Sequence, residues 1–236
     1  MSKPDMKLLL EKVLTDSPPV KRTKADPIQF PRRFFEEKRP TAEIEAAAVF
    51  SAMLAYGSAA QFIKKIDETM QKCDWQFLKL ITGSGAENFA WPGYRLSTGP
   101  EIGMFAGGVG RLIKKHGNLK SVFMQGYVPD KSIQQGLTKL HRALVEEIST
   151  RQLPLPRGVR HLLPDPAAGG CAKRWHMFLR WLVRREDGVD MGIWSEVDPA
   201  RLLIPLDRHI SRIARNLGLT SRNADDWKTA EEISQN

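Results

Sequence analysis

Residues 169–183 read GGCAKRWHMFLRWLV, and the spacing within them decides the fold class. The pair Gly169-Gly170 closes a run that holds Pro154, Pro156, Pro164 and Pro166, so the chain must loop there. Beyond it Trp175, Phe178, Leu179 and Leu182 recur at i, i+3, i+4 and i+7, which is one buried face of an α-helix. Lys173, Arg180, Trp181 and Arg184 fall on another side. Residues 204–219, IPLDRHISRIARNLGL, repeat the period with Ile210, Ile213, Ala214 and Leu217 inward and Arg208, Arg212 and Arg215 outward. Asp207 stands where an N-cap belongs, and Gly218 lies just past the helix end.

The same period extends outward along the chain. Helices are expected over 5–14, from Thr41 to Gly57, around Phe62, Ile66 and Met70, over 74–82, 100–116 and 130–149, and from Trp227 to Ser234. The Thr41 helix carries a small-residue stripe of Ile44, Ala47, Ala48, Ser51, Met53, Leu54 and Ala55. Pro27 and Pro31 restrict the residues before them, so DPIQFPRRF (26–34) reads as extended or turn-like. Segments 83–99, 151–170 and 186–200 read as loops. No alternating β-branched run and no Asn-Gly or Asp-Gly hairpin signal is found. The expectation is an all-α fold of two helical lobes with long loops, residues 151–170 lying between the lobes. A basic N-terminal segment, 1–40, precedes a helical domain, 41–236. The chain ends within a starting helix, so a truncated C-terminus is expected.

Composition narrows the function classes. Thirty-six Lys and Arg against 27 Asp and Glu give a net charge of +9 over 236 residues. Residues 1–40 hold ten Lys and Arg against six acids, and residues 157–215 hold eleven against seven. The second block is mostly Arg, whose planar fork suits phosphate. The longest apolar runs fall short of the ~20 residues of a membrane span, and the N-terminus lacks a signal-peptide core. Cys73 and Cys171 are too far apart for a CxxC motif, which excludes a zinc ribbon and a disulfide scaffold. No metal site is expected, since the histidines show no HExxH spacing. A soluble, cytoplasmic monomer is the expectation, with a polyanion as partner. Gly107, Gly108 and Gly110 lie within the period of Ile102, Phe105, Val109 and Leu112. They read as close packing inside a helix rather than as a nucleotide loop.

Two segments carry a family likeness. A Lys opening the helix after a glycine-containing hairpin (GGCAKRWHMFLRWLV), followed by Pro-x-Asp-x-His opening another helix (IPLDRHISRIARNLGL), resembles the helix-hairpin-helix DNA glycosylase superfamily. The 34-residue interval from Lys173 to Asp207 is nearest to the archaeal 8-oxoguanine DNA glycosylases. Across nearly its whole length the chain is also similar to an uncharacterised, mainly bacterial domain-of-unknown-function family. The strings DPIQFPRRF, AMLAYG, KRWHMFLRWLVRREDGVDMGIW and LIPLDRHISRIARNLGL carry that likeness. The hairpin DPAAGGCAK departs from a Leu-Pro-Gly-Val-Gly pattern, and no cysteine cluster for an iron–sulfur centre follows.

The glycosylase resemblance implies a cofactor-free enzyme of DNA repair, with or without lyase activity. Lys173 would attack the sugar C1′ of a base drawn out of the duplex, and Asp207 would steer the proton. The amine must be neutral to attack, which requires burial or neighbouring positive charge. Gly169, Gly170 and Arg174 would hold phosphate, with Arg180, Trp181, Arg208, His209 and Arg212 as further nucleic-acid contacts. The competing expectations are a non-catalytic nucleic-acid-binding module and a protein-interaction domain. The separation of Lys173 from Asp207 discriminates, because side chains on opposite faces exclude the enzyme.

Overall fold

A computed structural model describes residues 3–149 and 154–235. Its helices are α1 (Lys3–Asp16), α2 (Gln29–Glu36), α3 (Thr41–Leu54), α4 (Ala59–Lys72), α5 (Phe77–Thr82), α6 (Gly85–Asn88), α7 (Gly99–His116) and α8 (Leu119–Tyr127). They continue with α9 (Ile133–Ser149), α10 (Arg157–Leu162), α11 (Lys173–Val183), α12 (Arg208–Asn216) and α13 (Trp227–Gln235). Short 3-10 turns lie at Pro19–Ala25, Pro166–Ala168 and Pro199–Arg201. Among the described residues there is no strand, only isolated bridges such as Gly170 with Asp226.

The middle of the fold is α3, buried on every side from Ile44 to Leu54. Its alanines keep it thin, so α2, α5, α7, α8 and α11 all pack against it. A helix surrounded in this way has no polar face to show. The glycines of α7 do what their period implied. A Cβ at Gly110 would lie 1.9 Å from the Ile81 carbonyl of α5, and one at Gly108 2.3 Å from Ile148 of α9. At Gly110 the backbones meet where a methyl group could not fit, and at Gly108 the Ile148 side chain takes that space.

Four expectations change. Residues 26–34 are not extended: α2 starts at Gln29, and Pro31 falls in its first turn, where the lost N–H has no helical partner to forfeit. Ile28, Phe30 and Phe34 are buried, so the basic N-terminal segment contributes to the core. Residues 119–127, which carried no assignment, form α8, with Asn118 accepting the Ser121 N–H at 2.8 Å as its cap. Residues 157–162 of the expected loop are helical. Residues 150–153 of that loop, with residues 1, 2 and 236, lie outside the described set.

The apolar interior also divides elsewhere than expected. The large core runs from Ile28 through Val197 and includes Trp227. A second, small cluster joins Leu206, Ala214, Ala230 and Ile233, with Cys171, Ile204, Ile210 and Leu219 at its margin. Leu203 touches both, so the seam falls after α11 rather than at residues 151–170. No helix of the described residues is long and apolar enough to cross a membrane.

Candidate functional site

Lys173 and Asp207 meet across this seam. Lys173 opens α11, preceded by Ala172 in the left-handed conformation (φ 44°, ψ 33°) and by left-handed Gly169 (φ 81°). A non-glycine residue there is strained by about 1–3 kcal/mol, which places the strain one residue from the lysine. Asp207 caps α12. Its Oδ1 accepts the N–H groups of His209 and Ile210 at 2.9 and 3.0 Å. Its Oδ2 accepts from the Lys173 Nζ at 2.9 Å. The carboxylate therefore stands between two helix N-termini and an ammonium. A lysine in a first helical turn opposes the macrodipole, and Asp207 offsets that conflict.

Asp207 is partly desolvated, which raises its pKa. The Ile210 N–H, the Lys173 ammonium and the His209 N–H outweigh that and hold it below the usual carboxylate value. It is ionised at neutral pH. Both side chains keep about a third of their surface exposed (37% and 32%), so a substrate can reach them.

A cavity of about 820 Å³ is lined by neighbours of the pair, though neither Lys173 nor Asp207 lines it. Ile210, one of the N–H donors to Asp207, lines it, and so does Arg180, about two turns along α11 from Lys173. Val13 and Leu14 of α1 and Asp26 line it too. Asp26, which the sequence did not single out, accepts the Ile28 N–H at 3.0 Å. Burial pushes its pKa up, against the Ile28 N–H and the charges of Arg180 and Lys173. Arg180 and Arg184 approach Oδ2 of the fully buried Asp190 at 3.2 and 3.3 Å. Asp190 Oδ1 has no hydrogen-bond partner, and burial raises the pKa of this carboxyl.

The other expected contacts divide into two groups. Arg208, His209 and Arg212 are exposed along α12, and Gly169 and Gly170 have open space where a side chain would stand. Arg174 and Trp181 instead face inward. Arg174 donates to the carbonyls of Met53 (2.6 Å), Leu162 (3.3 Å) and His161, at the ends of α3 and α10. Its guanidinium lies 5.3 Å from the Tyr56 ring. It satisfies two helix C-termini, where cations belong, and is not placed to hold phosphate. Burial brings its pKa down to about 10. Trp181 is 3% exposed in the core and is not a stacking platform. Cys171 is a half-buried free thiol at the margin of the small cluster. Among the described residues no three His, Cys, Asp or Glu are grouped to hold a metal ion.

Fold and site together define an all-helical protein with a lysine–aspartate pair at two adjoining helix N-termini. The family described as Protein of unknown function (DUF2400) matches residues 26–236, and the chain belongs to that family. No curated protein and no solved structure matches it.

Proposed function

We propose that the protein is a DNA base-excision glycosylase in which Lys173 is the nucleophile and Asp207 its proton acceptor. The observation that carries this reading is the 2.9 Å contact between Lys173 Nζ and Asp207 Oδ2, made by residues 34 positions apart in sequence. A carboxylate oriented by two backbone N–H groups fixes Nζ in place, and it can receive the Nζ proton once bound substrate excludes water and favours the neutral pair over the ion pair. The neutral amine then forms the Nζ–C1′ bond. The electron pair of the glycosidic C1′–N bond leaves with the base, which gains a proton. Opening of the sugar ring leaves an imine on Lys173.

The surroundings suit a nucleic-acid substrate. Arg208, His209 and Arg212 can contact phosphates, and Gly169 and Gly170 let backbone approach closely. The test is borohydride trapping on duplex oligonucleotides carrying single base lesions or an abasic site. Wild type should give a covalent adduct and Lys173→Ala none, with Asp207→Asn slowed by about 10²–10⁴-fold. Unchanged trapping by Lys173→Ala overturns the mechanism. Steeply salt-dependent DNA binding without trapping on any substrate favours a non-catalytic binding module, a reading that rests on the exposed cations of α12.

A further inference from the structure

A second cavity, of about 720 Å³, lies on another part of the molecule, between α5, α6, the segment before α7 and α7 itself. None of its lining residues belongs to α11 or α12, so it stands apart from the Lys173–Asp207 pair. We propose that it is a binding site for a flat apolar molecule carrying one anionic group, of the class of aromatic carboxylates, sulfonates or phosphates.

The shape and stiffness of the walls give the apolar part. Trp91 forms one side, 9% exposed, its indole N–H donating to the Ala86 carbonyl at 2.8 Å. Phe89 meets it edge-on at 4.8 Å. Gly103 lets the tryptophan lie against α7, since a Cβ there would come within 2.6 Å of the ring. Gly107, one turn on, leaves room over the helix for the Arg111 guanidinium, and Met104 and Ile148 complete the surface. The ring is therefore fixed before any ligand arrives, and the volume falls within the roughly 300–1,000 Å³ range of small-molecule sites.

The charge at one end gives the anionic part. Arg111 and Lys114, a helical turn apart on α7, both line the cavity, with Glu87 as its carboxylate. Arg111 is locked. Its Nε and Nη2 donate to the Glu147 carbonyl at 3.0 and 2.7 Å, which directs Nη1 over Gly107, 3.2 Å from where a Cβ would stand. Lys114 is exposed and supplies a second, mobile cation. A guanidinium held over Gly107 in a cavity walled by Trp91 and Phe89 fits a ring with an acid group.

Titration of the intact protein with anilinonaphthalene sulfonate, read by its fluorescence, tests this. Saturable one-site binding is expected, and Lys114→Gln should weaken it at least threefold. Gly107→Leu should abolish it, because the added side chain fills the cavity and pushes the Arg111 guanidinium aside. Absence of saturable binding, or affinity that neither variant alters, overturns the site. Loss in Gly107→Leu with no change in Lys114→Gln overturns the anionic ligand class. Should Gly107→Leu not fold, Lys114→Gln alone decides.

Discussion

Asp207 serves two purposes with two oxygens, and that separates its structural from its chemical contribution. Oδ1 closes the first turn of α12 and Oδ2 meets the lysine. Asn caps as well as Asp, whereas Ala leaves the His209 and Ile210 N–H groups to water at a cost of about 1 kcal/mol. Asp207→Asn should therefore unfold in urea near the wild-type midpoint and Asp207→Ala about 1 kcal/mol earlier, while on the proposed mechanism both slow imine trapping by about 10²–10⁴-fold. Equal activity in Asn and wild type would show that the carboxylate only caps. The cap position and the lysine after the glycines are local patterns legible in the sequence, but only the resemblance to the glycosylases joined the two residues as a pair. It could not contain Asp26, whose place in the cavity is fixed by packing between distant parts of the chain. Arg174 shows the reverse limit. One position from Lys173 it reads as another surface cation, and only the carbonyls at the ends of α3 and α10 reveal why it turns inward.

At the scale of elements, α12 and α3 are opposite solutions. The α12 helix exposes Arg208, His209 and Arg212 and buries only Ser211 and Ala214. Should this face meet DNA phosphates, Arg212→Ala weakens binding of all sequences alike and flattens the plot of log affinity against log salt by about one. An unchanged slope in filter or fluorescence binding would remove α12 from the interface. Its period placed Arg208 and Arg212 outward correctly, but Ile213, expected inward, is 50% exposed, and Arg215, expected outward, turns to the Arg222 and Asn223 carbonyls and to Asp225. The α3 helix was readable as a helix but not as the fully buried axis, because a stripe of alanines does not reveal that the other faces are covered too. Glu45 is the consequence. It accepts the Leu119 N–H at 2.5 Å and the Trp194 indole N–H at 2.7 Å, joining α3 to the start of α8. Burial nevertheless pushes its pKa from 4.5 to about 7, against those donors. The native state binds this proton more tightly than the unfolded chain, so the group's stabilisation is full below pH 4.5 and is lost as pH rises through 7. The loss amounts to about 3 kcal/mol. Urea denaturation at pH 5 and pH 8 should show a decline of that order in wild type that Glu45→Gln lacks.

At the scale of the whole molecule, the pair joins two unequal bodies of packing. Lys173 belongs to α11, rooted in the large core, and Asp207 to α12, rooted in a cluster with four buried apolar residues. The small cluster is tied back by α13: Trp227 donates its backbone N–H to the Gly169 carbonyl at 3.0 Å, and its ring lies 4.8 Å from that of buried His176 in α11. The hairpin before Lys173 and the helix beyond Asp207 are thus one assembly, although the sequence spreads it over nearly sixty residues. Few apolar contacts mean a low free energy of local opening. Amides of α12 and α13 should exchange with solvent through a smaller opening than those of α3. Leu206 is the sensitive point, fully buried in the small cluster and adjacent to the aspartate. Leu206→Ala removes about 2–5 kcal/mol from a unit that has little to spare. Hydrogen exchange should quicken across α12 and α13 with α3 unaffected. Trapping by Lys173 should fall although neither partner of the pair is altered, because the acceptor no longer holds its place. Uniform loss of protection across α3, α12 and α13 would mean that the two clusters fold as one and that the seam does not set the geometry of the pair.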